Sequence, residues 1–215
     1  LPDYLERYGL DPLRYILSVN MPDTGDSDFS WREFVRRNNN ELVATYGNLV
    51  HRVLSFAYRN FNGAVPSPGE LDSQSEALFH KMETMLDEVD KLLYRCRFKE
   101  AIREAMSLAQ ETNRYLDDQA PWKTIKESRQ ASARSIYTAI SSLSALKTAL
   151  YPFLPFSSEK LHTLLGFEGS LIDTGWRFQL PAEGQKLCQP QPLFSKLDED
   201  IADRESSQIG SICNW

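Results

Sequence analysis

Residues 29–60 read FSWREFVRRNNNELVATYGNLVHRVLSFAYRN, and this stretch decides the fold. Ser30 and Glu33 have the spacing of a capping box, in which the serine side chain accepts from the Glu33 amide and the glutamate reaches back. Phe29 and Phe34 are placed as the accompanying hydrophobic staple. From there an apolar stripe through Phe34, Val35, Leu42, Tyr46, Leu49, Val50, Val53 and Ala57 keeps a helical period to about Arg59. A long amphipathic helix is predicted, and it needs neighbours to cover that stripe.

Those neighbours lie on both sides of it. Asp3 to about Asn20 reads as a helix with Pro2 at its start and Leu5, Tyr8, Leu13 and Leu17 toward one side, weakened in the middle by Gly9. Met21 to Asp28, with Pro22 and Gly25, is a linker. After the loop from Phe61 to Leu71, a helix from about Asp72 to Tyr94 should bury Leu78, Met82, Met85, Leu86, Val89 and Leu93. The next, from about Phe98 to Asp117, uses Ile102, Ala105, Leu108, Ala109, Thr112 and Leu116, and Pro121 closes it. A fifth runs from about Gln130 to Leu150 through Ala133, Ile136, Tyr137, Ile140, Leu143, Leu146 and Leu150. Pro152 and Pro155 break it before a short helix that opens at Ser157 and stops at Gly166.

Beyond Phe167 the period is lost. Trp176, Phe178, Leu180, Leu187, Leu193, Phe194 and Leu197 stand as apolar anchors among prolines and glycines. The fold class is therefore all-α, an antiparallel helical bundle with an N-terminal linking helix and an irregular C-terminal arm. The expected division is a linker region over 1–28, the bundle over 29–166, and an arm and tail over 167–215 packed on it.

Composition narrows the function. With 215 residues and 41% hydrophobic content the chain can bury a sizeable core. No apolar run reaches the roughly 18 residues a membrane span needs. Leu1 to Arg7 has neither an initiator methionine nor the order of a secretory signal, which suggests a piece of a longer cytoplasmic protein. Cys96, Cys188 and Cys213, like His51, His80 and His162, are too scattered for a disulfide framework or a metal site. The net charge of −6 argues against a nucleic-acid partner, although three local basic clusters soften the objection. They are Arg32, Arg36 and Arg37; Arg95, Arg97, Lys99 and Arg103; and Lys123, Lys126, Arg129 and Arg134.

Specific residues then carry the functional reading. Asn48 and Arg52 lie four apart on the long helix, hence on one face, beside Leu49 and Val53. Asn offers donor and acceptor and Arg a planar fork of donors, a pair able to read a base edge. On spacing alone they serve equally as an ordinary boundary pair. Gly47 before them marks a close approach by a partner or a neighbouring helix. Trp122 follows Ala120-Pro121 at a helix end, where an indole either caps the bundle or offers its face to an unpaired base.

Several segments resemble methionyl-tRNA synthetases, which are class I aminoacyl-tRNA synthetases. Tyr8-Gly9-Leu10-Asp11-Pro12-Leu13-Arg14-Tyr15 is similar to the helix that follows that family's KMSKS loop, and Asp26 to Trp31 resembles its entry to the bundle. The most specific markers are Gly47-Asn48-Leu49-Val50-His51-Arg52 and Asn113-Arg114-Tyr115-Leu116-Asp117-Asp118-Gln119-Ala120-Pro121-Trp122. Tyr151-Pro152-Phe153-Leu154-Pro155 resembles a later break between helices. Leu116 and Asp118 depart from the family's usual Ile or Val and Glu.

The resemblance implies an anticodon-binding domain for tRNA(Met). Trp122 would stack on the wobble cytosine of CAU, Asn48 and Arg52 would hydrogen-bond its edge, and Asp117 would stand near the same pocket. Asn113, Tyr115 and Pro121 would be supporting framework. The HIGH and KMSKS signatures do not occur, so the chain is expected to catalyse nothing alone and to hold no cofactor. ATP and Mg2+ would belong to the parent ligase, whose catalytic domain would be its partner in the same polypeptide, with neither DNA nor a membrane involved. Two alternatives stand beside this reading. One is the corresponding domain of an isoleucyl, valyl, leucyl or cysteinyl enzyme, and the other is a helical protein-interaction module without RNA.

Overall fold

The computed structural model of the chain describes residue 4, residues 7–21 and residues 29–212. Its helices are α1 (Leu10–Val19), α2 (Trp31–Arg37), a π-helical segment (Asn38–Gly47), α3 (Asn48–Asn60), α4 (Ser73–Tyr94), α5 (Phe98–Gln119), α6 (Pro121–Thr124), α7 (Arg129–Leu150), α8 (Pro155–Leu164), α9 (Leu171–Thr174) and α10 (Ile201–Ile212). The bundle is all-α. Among the described residues the isolated pairing of extended backbone is Ala64 with Lys186.

The predicted long helix runs from Trp31 to Asn60, and every residue of its apolar stripe is buried. Ser30 accepts from the Glu33 amide as expected, and the Phe29 and Phe34 rings lie 6.2 Å apart. Only half the capping box forms, because the Glu33 carboxylate is taken by Arg36 and Arg37 at 2.7 Å each. The π-helical middle is unforeseen. One extra residue per turn re-phases the stripe, so that Phe34 and Val35 face one core while Leu42, Tyr46 and Leu49 face another. The wider turn exposes polar groups to the C-terminal arm. Asn38 donates to the Ser195 carbonyl at 3.0 Å, and Asn39 donates to Leu197 O at 2.8 Å while accepting from Leu197 N at 2.9 Å.

The first helix differs from its prediction. Gly9 sits at φ 75°, left-handed, and ends whatever helix precedes it, so the phase restarts at Leu10. Tyr15, Ile16 and Val19 are buried, whereas Leu17 is exposed. Tyr8 and Leu13 pack instead on a second cluster formed by Tyr4, Ile16, Phe34, Val35 and Ile201. Pro2 and Leu5, like most of the linker and Cys213, lie outside the described residues.

Helix α7 is the axis of the bundle, packing against α3, α4, α5, α6 and α8. The stripe read from sequence understates it, for nearly every residue from Ser132 to Leu150 is buried. Its hydroxyls remain satisfied without water. Ser135, Thr138 and Ser141 donate to carbonyls one turn back at 2.9–3.0 Å, and Ser142 pairs with Thr112 of α5. On α4, Leu92 is buried in the core, and the predicted Leu93 packs against it only partly buried. Helix α8 starts at Pro155, two residues before the predicted Ser157, because Asp11 of α1 accepts from the Ser157 amide at 2.6 Å.

The arm passes the C-terminal end of α8 at Gly166, where an added Cβ would lie 1.8 Å from the Lys186 carbonyl. Beyond it, Val65 donates to Gln185 O at 2.9 Å and Leu187 to Gly63 O at 2.8 Å, closing the arm over the α3–α4 loop. Leu187 and Phe194 are buried anchors as expected, but Trp176 and Leu180 stay exposed. The backbone between them is nonetheless held on α7, Thr148 donating to Arg177 O at 3.2 Å and Ser144 to Gln179 O at 2.6 Å. The expected tail carries helix α10, whose Ile201 and Ala202 are buried against α2.

Beneath the arm lies a buried cation. Lys147 of α7 is 0% exposed, donates to Gln179 Oε1 at 3.0 Å and sits 4.6 Å from the centre of the Phe167 ring. Burial brings its pKa down to about 8. His162, also buried, stacks on Phe167 at 5.1 Å, and burial followed by the charge of Lys147 lowers its pKa.

Candidate nucleic-acid interface

Asn48, Arg52, Asn113, Asp117 and Trp122 come together where α3 crosses the C-terminal end of α5. Arg52 donates from Nη2 to Asn113 Oδ1 at 3.0 Å and from Nη1 to Asp117 Oδ1 at 3.2 Å. Its guanidinium lies over the Trp122 ring, 4.9 Å from the centroid. Asn113 and Asp117, 61 and 65 positions along the chain from Arg52, thus share its guanidinium with the indole that follows them.

The end of α5 explains how Trp122 gets there. Ala120 adopts a left-handed conformation at φ 40° and ψ 56°, and its amide still reaches Leu116 O at 3.0 Å. A residue with a Cβ is strained there by about 1–2 kcal/mol. That turn seats Pro121 as first residue of α6, where it lacks no needed donor, and folds Trp122 back toward α3. Pro121 is buried and its carbonyl accepts from Ser132 at 3.0 Å. Trp122 is half-buried, packed on the core with part of its ring open.

The framework is fully engaged inside the protein. Asn113 Nδ2 donates to the Thr45 and Ala109 carbonyls at 3.0 Å each, so its amide is saturated by Arg52, α5 and the π-helical segment. Tyr115 is buried, its hydroxyl 2.8 Å from Ser75 Oγ. Asn48 is different. It is exposed and makes no side-chain hydrogen bond among the described residues, which leaves its donors and acceptor available one turn before Arg52. Asp117 is exposed apart from its pairing with Arg52. Among the described residues no group of three or more His, Cys, Asp or Glu side chains could hold a metal ion.

Gly47 fits between two neighbours. A Cβ there would meet the Leu42 carbonyl at 3.0 Å and Phe194 of the arm at 3.3 Å. The close approach anticipated from sequence is made by the arm and the widened helix, not by a ligand. The Thr45 carbonyl, which orients Asn113, belongs to the same π-helical segment. Its one sequence signal is the polar run Asn38-Asn39-Asn40, which interrupts the stripe between Val35 and Leu42.

The all-α bundle matches the anticodon-binding domain of class I aminoacyl-tRNA synthetases in fold, and residues 1–54 match the family described as tRNA synthetases class I (M). Residues 65–211 match the anticodon binding domain of methionyl tRNA ligase, and the chain belongs to that family. It is 56% identical over 208 residues to the methionine–tRNA ligase of Dehalococcoides mccartyi, covering 97% of this chain and 38% of that protein. Identity to the Chloroflexus aurantiacus methionine–tRNA ligase is 43% over 235 residues, again 97% of this chain, with 39% of that protein covered. The free-state methionyl-tRNA synthetase of Mycobacterium tuberculosis superposes with a TM-score of 0.83 at 27% identity, covering 91% of this chain and 40% of that one. The chain thus spans about two fifths of the length of these relatives. The matches favour the methionyl branch over the other class I enzymes and over a protein-interaction module.

Proposed function

We propose that this bundle reads the CAU anticodon of tRNA(Met) within a methionine–tRNA ligase that uses ATP and Mg2+ in its catalytic domain. The observation that carries the reading is Arg52 held over Trp122 by Asn113 and Asp117, with the unengaged Asn48 one turn away. The entering wobble cytosine replaces the guanidinium on the indole face, exchanging a cation–π contact for a base stack. Arg52, released from the ring but kept nearby by Asn113, turns its remaining N–H groups to the base edge beside Asn48. Binding energy at this corner then helps place the distant acceptor end for reaction in the parent enzyme, a use of remote contacts to favour the reacting state. The setting is the cytoplasm.

Titrating the chain with CAU and UAU anticodon stem-loops tests this reading. The wild type prefers CAU, and Asn48→Ala or Arg52→Gln collapses the preference by on the order of 1–3 kcal/mol, a range borrowed from bidentate contacts in duplex DNA. Equal losses for both loops would reduce the two residues to phosphate contacts.

A further inference from the structure

The three basic clusters meet different fates on folding. Arg36 and Arg37 pair with Glu33 and Glu41, and Arg32 faces Asp203 at 3.9 Å. Arg129 donates to Asn60 O and lies over Phe61, and Arg134 pairs with Asp72 at 2.8 Å, while Lys123 and Lys126 beside Trp122 are exposed and make no ion pair among the described residues. At the start of α5, Lys99 and Arg103 are exposed and make no ion pair or side-chain hydrogen bond among the described residues. Both line a cleft of about 320 Å³ between α1, the π-helical segment and α5, with Gln110 and Thr45 at its other end.

That cleft is linked to the corner through Thr45. The Thr45 side chain lines it, and the Thr45 carbonyl accepts from Asn113, which in turn holds Arg52. Arg103 precedes Asp117 by fourteen residues on the same helix, about 21 Å at roughly 1.5 Å per residue. Charge is segregated around α5. Glu104 pairs with Lys81 of α4 and Glu111 lines a groove with Asp118, both away from the cleft. The acid that does line it, Glu41, is occupied by Arg37 at 2.9 Å and by the Tyr15 hydroxyl at 2.6 Å. In a chain of net charge −6, the cleft is a local cationic track aligned with the corner.

We infer that Lys99 and Arg103 hold the phosphate backbone of the RNA stem whose loop is read at Arg52 and Asn48. The inference rests on the anticodon reading and extends it from bases to backbone. A-form stems are met through phosphates and sugars rather than base edges, so the exposed, unpaired cations Lys99 and Arg103 suit this role. The contact sets register along the bundle and carries no sequence information.

The test compares the chain with Lys99→Gln/Arg103→Gln, titrated against a CAU stem-loop, a UAU stem-loop and a single-stranded heptanucleotide carrying CAU. The double variant should bind both stem-loops about tenfold more weakly at moderate salt, with the slope of log affinity against log salt shallower by about 2. CAU preference and heptanucleotide affinity should stay within twofold, and melting should be unchanged because neither side chain has a partner to lose. Unchanged stem-loop affinity and slope would overturn the inference, as would an equal loss on the heptanucleotide. A wild-type chain that binds stem-loops without preferring CAU would sink the anticodon reading alone, since the stem-dependent slope is read whatever the loop sequence. A wild-type chain that binds no stem-loop would overturn both.

Discussion

Two cations in this bundle lie across aromatic rings at nearly the same distance, Arg52 over Trp122 at 4.9 Å and Lys147 over Phe167 at 4.6 Å. Each also has an amide oxygen as acceptor, from Asn113 and Gln179. Their surroundings differ. The Arg52 side chain is 38% exposed, while Lys147 is 0% exposed. Burial turns one pair into part of the core, where the cation is held at a cost, and leaves the other free to exchange its ring contact for a ligand.

The sharpest break between the two pairs is in stability. Phe167→Ala should lower the unfolding free energy by about 2–4 kcal/mol, from lost packing on His162 and a lysine left without its ring, while leaving stem-loop affinity intact. Denaturant titration and binding on the same variant check this. Trp122→Ala should do the opposite, with about 1–3 kcal/mol of binding lost and a smaller stability loss set by its half-buried packing. Were Trp122→Ala to unfold the bundle as readily as Phe167→Ala while binding normally, both rings would be structural.

Protonation separates the pairs next. Lys147 has a folded pKa of about 8, below its unfolded value. Between those values the unfolded chain binds more protons than the folded one, so stability rises with pH from about 8 toward 10.5, by at most about 1.4 kcal/mol per unit. The lowered pKa of His162 acts in the same sense at lower pH, stability being lost as pH falls through the ordinary histidine range. Melting at pH 7.5 and 9.5 for the wild type and Lys147→Met reads the lysine contribution, and the variant should show a flatter rise. The same rise in both proteins would place the titration elsewhere. The smallest effect belongs to Asp117→Asn. This ion pair, with side chains 38% and 65% exposed, should contribute under about 0.5 kcal/mol to stability. Loosening Arg52 should reduce CAU preference by less than Asn48→Ala does, and an effect as large would give Asp117 a direct part in reading.

Periodicity and punctuation were enough for the bundle. The Ser30 cap, the stripes of α3 to α5, and the helix ends before Pro121 and Pro152 all act within a few residues, so local chemistry settles them, whereas Pro121 and Pro155 as first residues of new helices were not read. The candidate residues Asn48, Arg52, Asn113, Asp117 and Trp122 were singled out through a resemblance, and the structure brings the last four of them into contact. What pattern alone missed depends on distant partners. The π-helical segment forms where Asn38 and Asn39 meet the arm more than 150 residues away, and α7 is buried all round because its hydroxyls bond their own preceding turn. Charge clusters look alike in sequence. Arg36, Arg37 and Arg97 pair within their own helical turns, whereas Arg134 finds Asp72 only through packing; that Lys99 and Arg103 border a cleft with α1 and the π-helical segment is likewise decided by which helix faces meet.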